Sequence, residues 1–170
     1  MALSAFAQQW GPSAYGNRYS HGSSSDRTLT KGYRGMVEMA HGFGWDQFYY
    51  AFEYSTTYGY QFNPYLYLGG VVSFGRGESK AYSYDTTTPG FNFGIGSDFR
   101  VYMSQNKLAP FAGLQFGFDL CGDNLYMLLK GQLGLRYALN DNHAINIAAV
   151  LGPTCESESG EVLFKLGVEF

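Results

Sequence analysis

The sequence predicts an all-β protein: an eight-stranded antiparallel up-and-down transmembrane β-barrel. Three observations carry this. Eight runs alternate large apolar side chains with small or polar ones, which is the period of a strand. Tight polar turns alternate with other connectors along the chain. The 170 residues include 18% aromatics and 23 Gly but 15% charged residues, against about 25% charged in an ordinary soluble domain. Such a composition excludes a charge-rich disordered chain. The net charge of −3 argues against a nucleic-acid partner. No apolar run reaches the ~18 residues of a membrane-crossing helix.

The N-terminal residues precede the pattern. Ala2 to Ala7 is small and apolar, and Ala5-Phe6-Ala7 fits the small-residue motif before a cleavage point at Gln8. Residues 1–7 are expected to be the remnant of a secretory signal peptide. Residues 8–32 are rich in Gly, Ser, Tyr and Asn without a period, and read as an N-terminal tail. The barrel is expected over 33–170.

The first run, Tyr33 to Gly44, sets Tyr33, Val37, Met39 and Phe43 against Arg34, Met36, Glu38, Ala40 and Gly42. The second, Gln47 to Gln61, sets Phe48, Tyr50, Phe52, Tyr54, Tyr58 and Tyr60 against Ala51, Glu53, Ser55, Thr57 and Gly59. The third, Tyr65 to Gly75, aligns Leu66, Leu68, Val72 and Phe74. In the fourth, from Phe91, the residues Phe93, Ile95, Phe99, Val101 and Met103 oppose Gly94, Gly96, Asp98, Arg100 and Tyr102. The fifth, Leu108 to Leu120, opposes Leu114, Phe116 and Phe118 to Gln115 and Asp119. The sixth, Leu125 to Leu139, opposes Leu129, Leu133, Leu135 and Tyr137 to Lys130, Gln132 and Arg136. The seventh, Ala144 to Leu151, carries Ile145, Ile147 and Leu151 on one face. The eighth, Val162 to Phe170, opposes Phe164, Leu166, Val168 and Phe170 to Lys165, Gly167 and Glu169. Most runs reach the ~9–11 residues of a tilted membrane-crossing strand.

Turns follow the second, fourth and sixth runs at Asn63-Pro64, Ser104 to Lys107 and Asn140 to His143. Asn and Asp tolerate left-handed backbone there, and Pro fixes φ. Longer connectors are expected at Arg76 to Gly90 and Gly152 to Glu161. Short turns on one side and longer loops on the other are the pattern of a membrane barrel with both termini on the periplasmic side.

Alternation alone does not say which face is inside. Volume does, because an eight-stranded barrel has an interior just wide enough for side chains to fill. The Phe, Tyr, Leu and Ile face is too bulky for that lumen. The opposite face is small, glycine-rich and carries balanced charges: Arg34, Arg100, Lys130, Arg136 and Lys165 against Glu38, Glu53, Asp98, Asp119 and Glu169. Charges in a narrow, poorly solvated interior must be paired. These ten residues are the predicted lumen charge network, and the apolar face is predicted to meet lipid. Aromatics cluster near both strand ends, with Tyr60, Phe62, Tyr65, Tyr137 and Phe170 at one and Phe43, Trp45 and Phe48 at the other, as at membrane interfaces.

Several segments resemble a known group. Lys31-Gly32-Tyr33-Arg34-Gly35-Met36-Val37-Glu38, the segment Tyr58 to Gly70 and the terminal Gly167-Val168-Glu169-Phe170 resemble the small eight-stranded outer-membrane barrels of the OmpA/OmpX type, particularly those of Bacteroidota. The resemblance spans roughly Lys31 to Phe170. It implies an integral protein of a Gram-negative outer membrane, in contact with outer-membrane lipid and inserted by the barrel-assembly machinery. Phe164, Leu166, Val168 and Phe170 would be the assembly signal. It implies no particular activity.

The residues carry little further chemistry. Cys121 and Cys155 fall in connectors on the predicted outer side, where an exported protein can form a disulfide; separate thiols are the alternative. No Cys/His spacing suits a metal, and no phosphate-binding loop ends in Gly-Lys-Ser/Thr. No cofactor is expected. His41 lies on the lipid-facing parity without Ser and acid partners, so lipid-A-modifying catalysis is a weak alternative. Tyr82, Tyr84 and Asp85, in the longest predicted loop, are the expected outer contacts. The expected function is non-enzymatic: a structural or interaction role through loops, tail or lipid-facing surface, with a possible protein partner in a membrane complex. A narrow pore and a soluble lipocalin-like binder of an apolar ligand are the rival readings.

Overall fold

The computed structural model describes residues 29–44, 50–80, 87–140, 142–153 and 160–170. The strands are β1 (Gly32–Gly44), β2 (Tyr50–Asn63), β3 (Leu66–Lys80), β4 (Thr87–Tyr102), β5 (Leu108–Cys121), β6 (Asn124–Ala138), β7 (Ala144–Pro153) and β8 (Gly160–Glu169). Each pairs antiparallel with the next, and β8 returns to β1, so the sheet is a closed barrel. Closure leaves no free edge along the common height of the strands.

The register sets the shape. Tyr33 on β1 pairs with Tyr60, then the partners run Leu68, Phe99, Leu114, Gly131, Leu151 and Val162. Val162 pairs with Phe43, so one circuit climbs from residue 33 to residue 43 of the same strand, an offset of ten. Ten residues rising about 3.3 Å each, on strands tilted about 40°, climb roughly 25 Å. That is about the height of the apolar band on a membrane barrel. All nine residues of the circuit have outward parity.

Alternation is realised as expected. Tyr33, Val37, Met39 and Phe43 on β1 are exposed, whereas Arg34, Met36, Glu38 and Ala40 are buried. Phe91, Phe93 and Ile95 on β4 are exposed, and Asp98, Arg100 and Tyr102 are buried. The aromatic face is therefore outside. This corrects the lipocalin-like alternative, which needs that face around a cavity.

The segment Arg76 to Gly90, expected as a loop, is also corrected. β3 and β4 stay paired out to Lys80 and Thr87. Gly77-Glu78-Ser79-Lys80 and Thr87-Thr88-Pro89 carry no apolar period that would mark them as strand. β5 stops short of this ribbon, since its last partner on β4 is Asn92, opposite Cys121. The Tyr102 N–H donates to Tyr65 on the β3 side, and the Met103 N–H donates to Pro110 on the β5 side. Alternation then turns the backbone groups of Pro89 and Thr87 toward the side that has no partner among the described residues. Pro89, on that edge, has no N–H to offer.

The tail is tied in at its last residues. Gly32 has φ +156°, in the region that favours glycine. Straight continuation of β1 would point Leu29 outward. Instead Leu29 is 2% exposed and packs with Met36, Tyr67, Tyr102, Ala109, Phe111 and Ala148 at the base of the lumen.

Candidate functional site

The lumen is filled in three tiers. At the base, the apolar cluster around Tyr67, Tyr102 and Phe111 lies beside a charged triad. Arg136 donates from Nε to Glu169 Oε2 at 2.9 Å and from Nη2 to Oε1 at 2.9 Å. Arg34 pairs with the same carboxylate and donates to the Thr30 carbonyl at 3.1 Å. One Glu thus joins β8, β6 and β1.

The middle tier centres on Arg100, which is fully buried. It donates to Asp98 Oδ2 from Nε at 2.9 Å and from Nη2 at 2.6 Å. Nη2 also reaches Glu38 at 2.8 Å. The guanidinium lies 5.3 Å from the Phe111 ring centroid, a cation–π geometry. Gln132 donates to Asp98 Oδ1 at 2.7 Å and Gln115 to Oδ2 at 3.3 Å. Lys165 Nζ stands 3.5 Å from Glu38. Charge-assisted contacts of this kind are the strong ones.

In the upper tier Lys130 bridges Glu53 at 2.7 Å and Glu161 at 3.1 Å. Asp119 is also buried here, and its carboxylate crowds Gly94, where a Cβ would meet Oδ1 and the Ser73 hydroxyl.

All ten charges of the predicted network thus lie inside: Arg34, Glu38, Glu53, Asp98, Arg100, Asp119, Lys130, Arg136, Lys165 and Glu169. Glu161 is an eleventh. Sequence reasoning placed it in a connector, although extending the Lys165 and Glu169 parity back along β8 would have found it. Two large rings were also missed inside, Tyr67 and Phe111. Glycines make room for them. A Cβ on Gly134 would stand 2.6 Å from Phe111 Cζ, and one on Gly69 would stand 2.5 Å from the Tyr67 hydroxyl. Gln115 and Gln132 were placed inward by parity, but their partnership with Asp98 was not foreseen.

The outer surface is the inverse of a soluble protein's. Large apolar residues are exposed on every strand, among them Leu133 at 63%, Met127 at 73% and Phe164 at 60%. Phe164, Leu166, Val168 and Phe170 form one outward row on and just past β8. His41 is exposed on the same face, with Phe52 and Phe164 opposite it on the flanking strands. Cys121 is disulfide-bonded. Cys155, Tyr82, Tyr84, Asp85 and residues 1–28 lie outside the described residues.

Neither a known protein family nor a curated protein matches the chain by sequence. Solved structures do match by shape. The outer membrane protein OprG from Pseudomonas aeruginosa superposes with a TM-score of 0.60 at 12% identity, over 86% of this chain and 99% of that one. Neisserial surface protein A (NspA) gives 0.57 at 16%, over 81% and 94%. The N-terminal β-barrel domain of Pseudomonas aeruginosa OprF gives 0.56 at 16%, over 81% and 95%. At such identities the likeness is one of fold: this chain has the eight-stranded barrel of those outer-membrane proteins.

Proposed function

We propose that this chain is an integral outer-membrane β-barrel protein with a filled lumen, both termini on the periplasmic side and a non-enzymatic structural or interaction role. The observation that supports this is the inversion of polarity. Among the described residues eleven charged side chains are buried inside the barrel, while the outer wall is apolar over roughly the 25 Å that lipid requires. In lipid every backbone group of a wall must be paired within the wall, and a closed barrel does this. The fold shared with OprG, NspA and OprF agrees with the reading. Interaction would then fall to the outer connectors, the N-terminal tail or the lipid-facing aromatics within a larger membrane complex.

The first test is heat-modifiability. The protein is extracted from membranes in mild detergent, and boiled and unboiled samples are compared on SDS gels. The expected result is recovery in the outer-membrane fraction with faster migration when unboiled. A protein that stays in solution without detergent and shows no shift would overturn the proposal. The filled lumen also predicts planar bilayers without steady conductance. A stable open level from the wild-type protein would instead favour the narrow-pore reading.

A further inference from the structure

The first and last strands meet to close the barrel wall, and three kinds of contact converge at one point of that seam. In the wall, the Gly35 N–H donates to the Phe170 carbonyl at 2.8 Å, and the Phe170 N–H donates back at 2.9 Å. Outside, the Phe170 ring lies over Gly35 so closely that a Cβ on Gly35 would stand 2.5 Å from Phe170 Cε2 and 2.8 Å from Cζ. Inside, one residue earlier on each strand, Arg34 pairs with Glu169. Glu169 is held in turn by Arg136 at 2.9 Å.

Every other strand pair joins neighbours in sequence, and β1–β8 alone joins the ends. The Arg34–Glu169 pair spans 135 residues. Closing so long a loop costs more entropy than closing a hairpin, so this seam needs contacts the hairpins do not. We propose that Gly35 and Phe170, above the Arg34–Glu169 pair, form a latch that keeps the finished barrel closed. Phe170 is then a working part of the folded wall, in addition to any part it plays as a signal during assembly. Gly35 is the positioning residue, because any side chain there pushes the ring off its seat.

The test uses the purified full-length chain refolded from urea into detergent micelles, where no assembly factor is present. The rate at which the compact, fast-migrating form is lost in urea is measured. Phe170→Ala is expected to unfold roughly tenfold faster, the scale of one lost aromatic contact formed late in folding. Phe170→Tyr keeps the ring and the wild-type rate. Gly35→Leu is expected to match Phe170→Ala, and the double variant to be no faster than the quicker single one, since both remove one contact. If Gly35→Leu does not fold, the contrast between Phe170→Ala and Phe170→Tyr decides alone. A wild-type rate for Phe170→Ala, equal rates for its alanine and tyrosine variants, or multiplying effects in the double variant would overturn the latch. Such a result would leave the membrane reading intact, because the latch rests on barrel closure alone.

Discussion

Replacing Arg100 with methionine is expected to destabilise the folded barrel by about 3–5 kcal/mol, the cost of removing one partner from a buried charge pair. Arg100 is the hub of the middle tier, with Asp98 and Glu38 both on its Nη2. Without it two carboxylates share a closed layer in which Lys165 Nζ stands 3.5 Å from Glu38. The measurement is the urea midpoint of refolded protein in vesicles. A companion variant, Arg100→Met with Asp98→Asn, removes one of the stranded charges and is expected to recover part of the loss. The two substitutions should therefore be strongly non-additive, as for any pair in direct contact. An unchanged midpoint for Arg100→Met would mean the lumen is wet enough to solvate the carboxylates, and the filled-lumen account would fail.

The second large effect is expected on the opposite side of the wall. Leu133 and Met103 are equally exposed, each at 63%. They differ in height. Leu133 sits near the middle of β6, two residues from Gly131, which lies part-way up the climbing circuit, whereas Met103 follows β4 at the turn end. Arg at the bilayer midplane of such a barrel costs about 2–4 kcal/mol, falling to about 0–1 near an interface. Leu133→Arg is thus expected to lower folding stability in vesicles severely, and Met103→Arg to leave it nearly unchanged. A surface bathed in water would make both substitutions equally mild. That outcome would remove lipid from the account.

Much of the wall was legible from period two alone, because parity assigns each side chain to a face without knowledge of its neighbours. Glu53, Asp119 and Lys130 could be placed inside in this way. Their partners could not. Lys130 meets Glu53 across 77 positions of sequence, and Arg34 meets Glu169 across 135. Those meetings depend on the ten-residue offset of the circuit, which no single strand encodes. The β3–β4 ribbon was illegible for another reason: Thr87 and Thr88 pair with Lys80 and Ser79 without any alternation of apolar residues, so nothing in their pattern separates strand from loop. Leu29 defeats parity because Gly32 turns the chain before the alternation reaches it. Tyr67 and Phe111 show that volume arguments hold for a face as a whole but fail where single glycines, Gly69 on the same strand and Gly134 on the adjoining one, yield space to single rings.

Pro89 has a consequence that belongs to populations of molecules more than to one. Proteins embedded in a membrane share one orientation and diffuse in a plane, so projecting ribbons of neighbouring copies meet at matching heights and at high local density. An uninterrupted row of donors and acceptors on such ribbons would let copies zip into linear arrays. With no N–H at Pro89, the pairing ladder of that edge breaks where two such edges would have to match. A crowded membrane can then carry many of these ribbons side by side, each remaining separate.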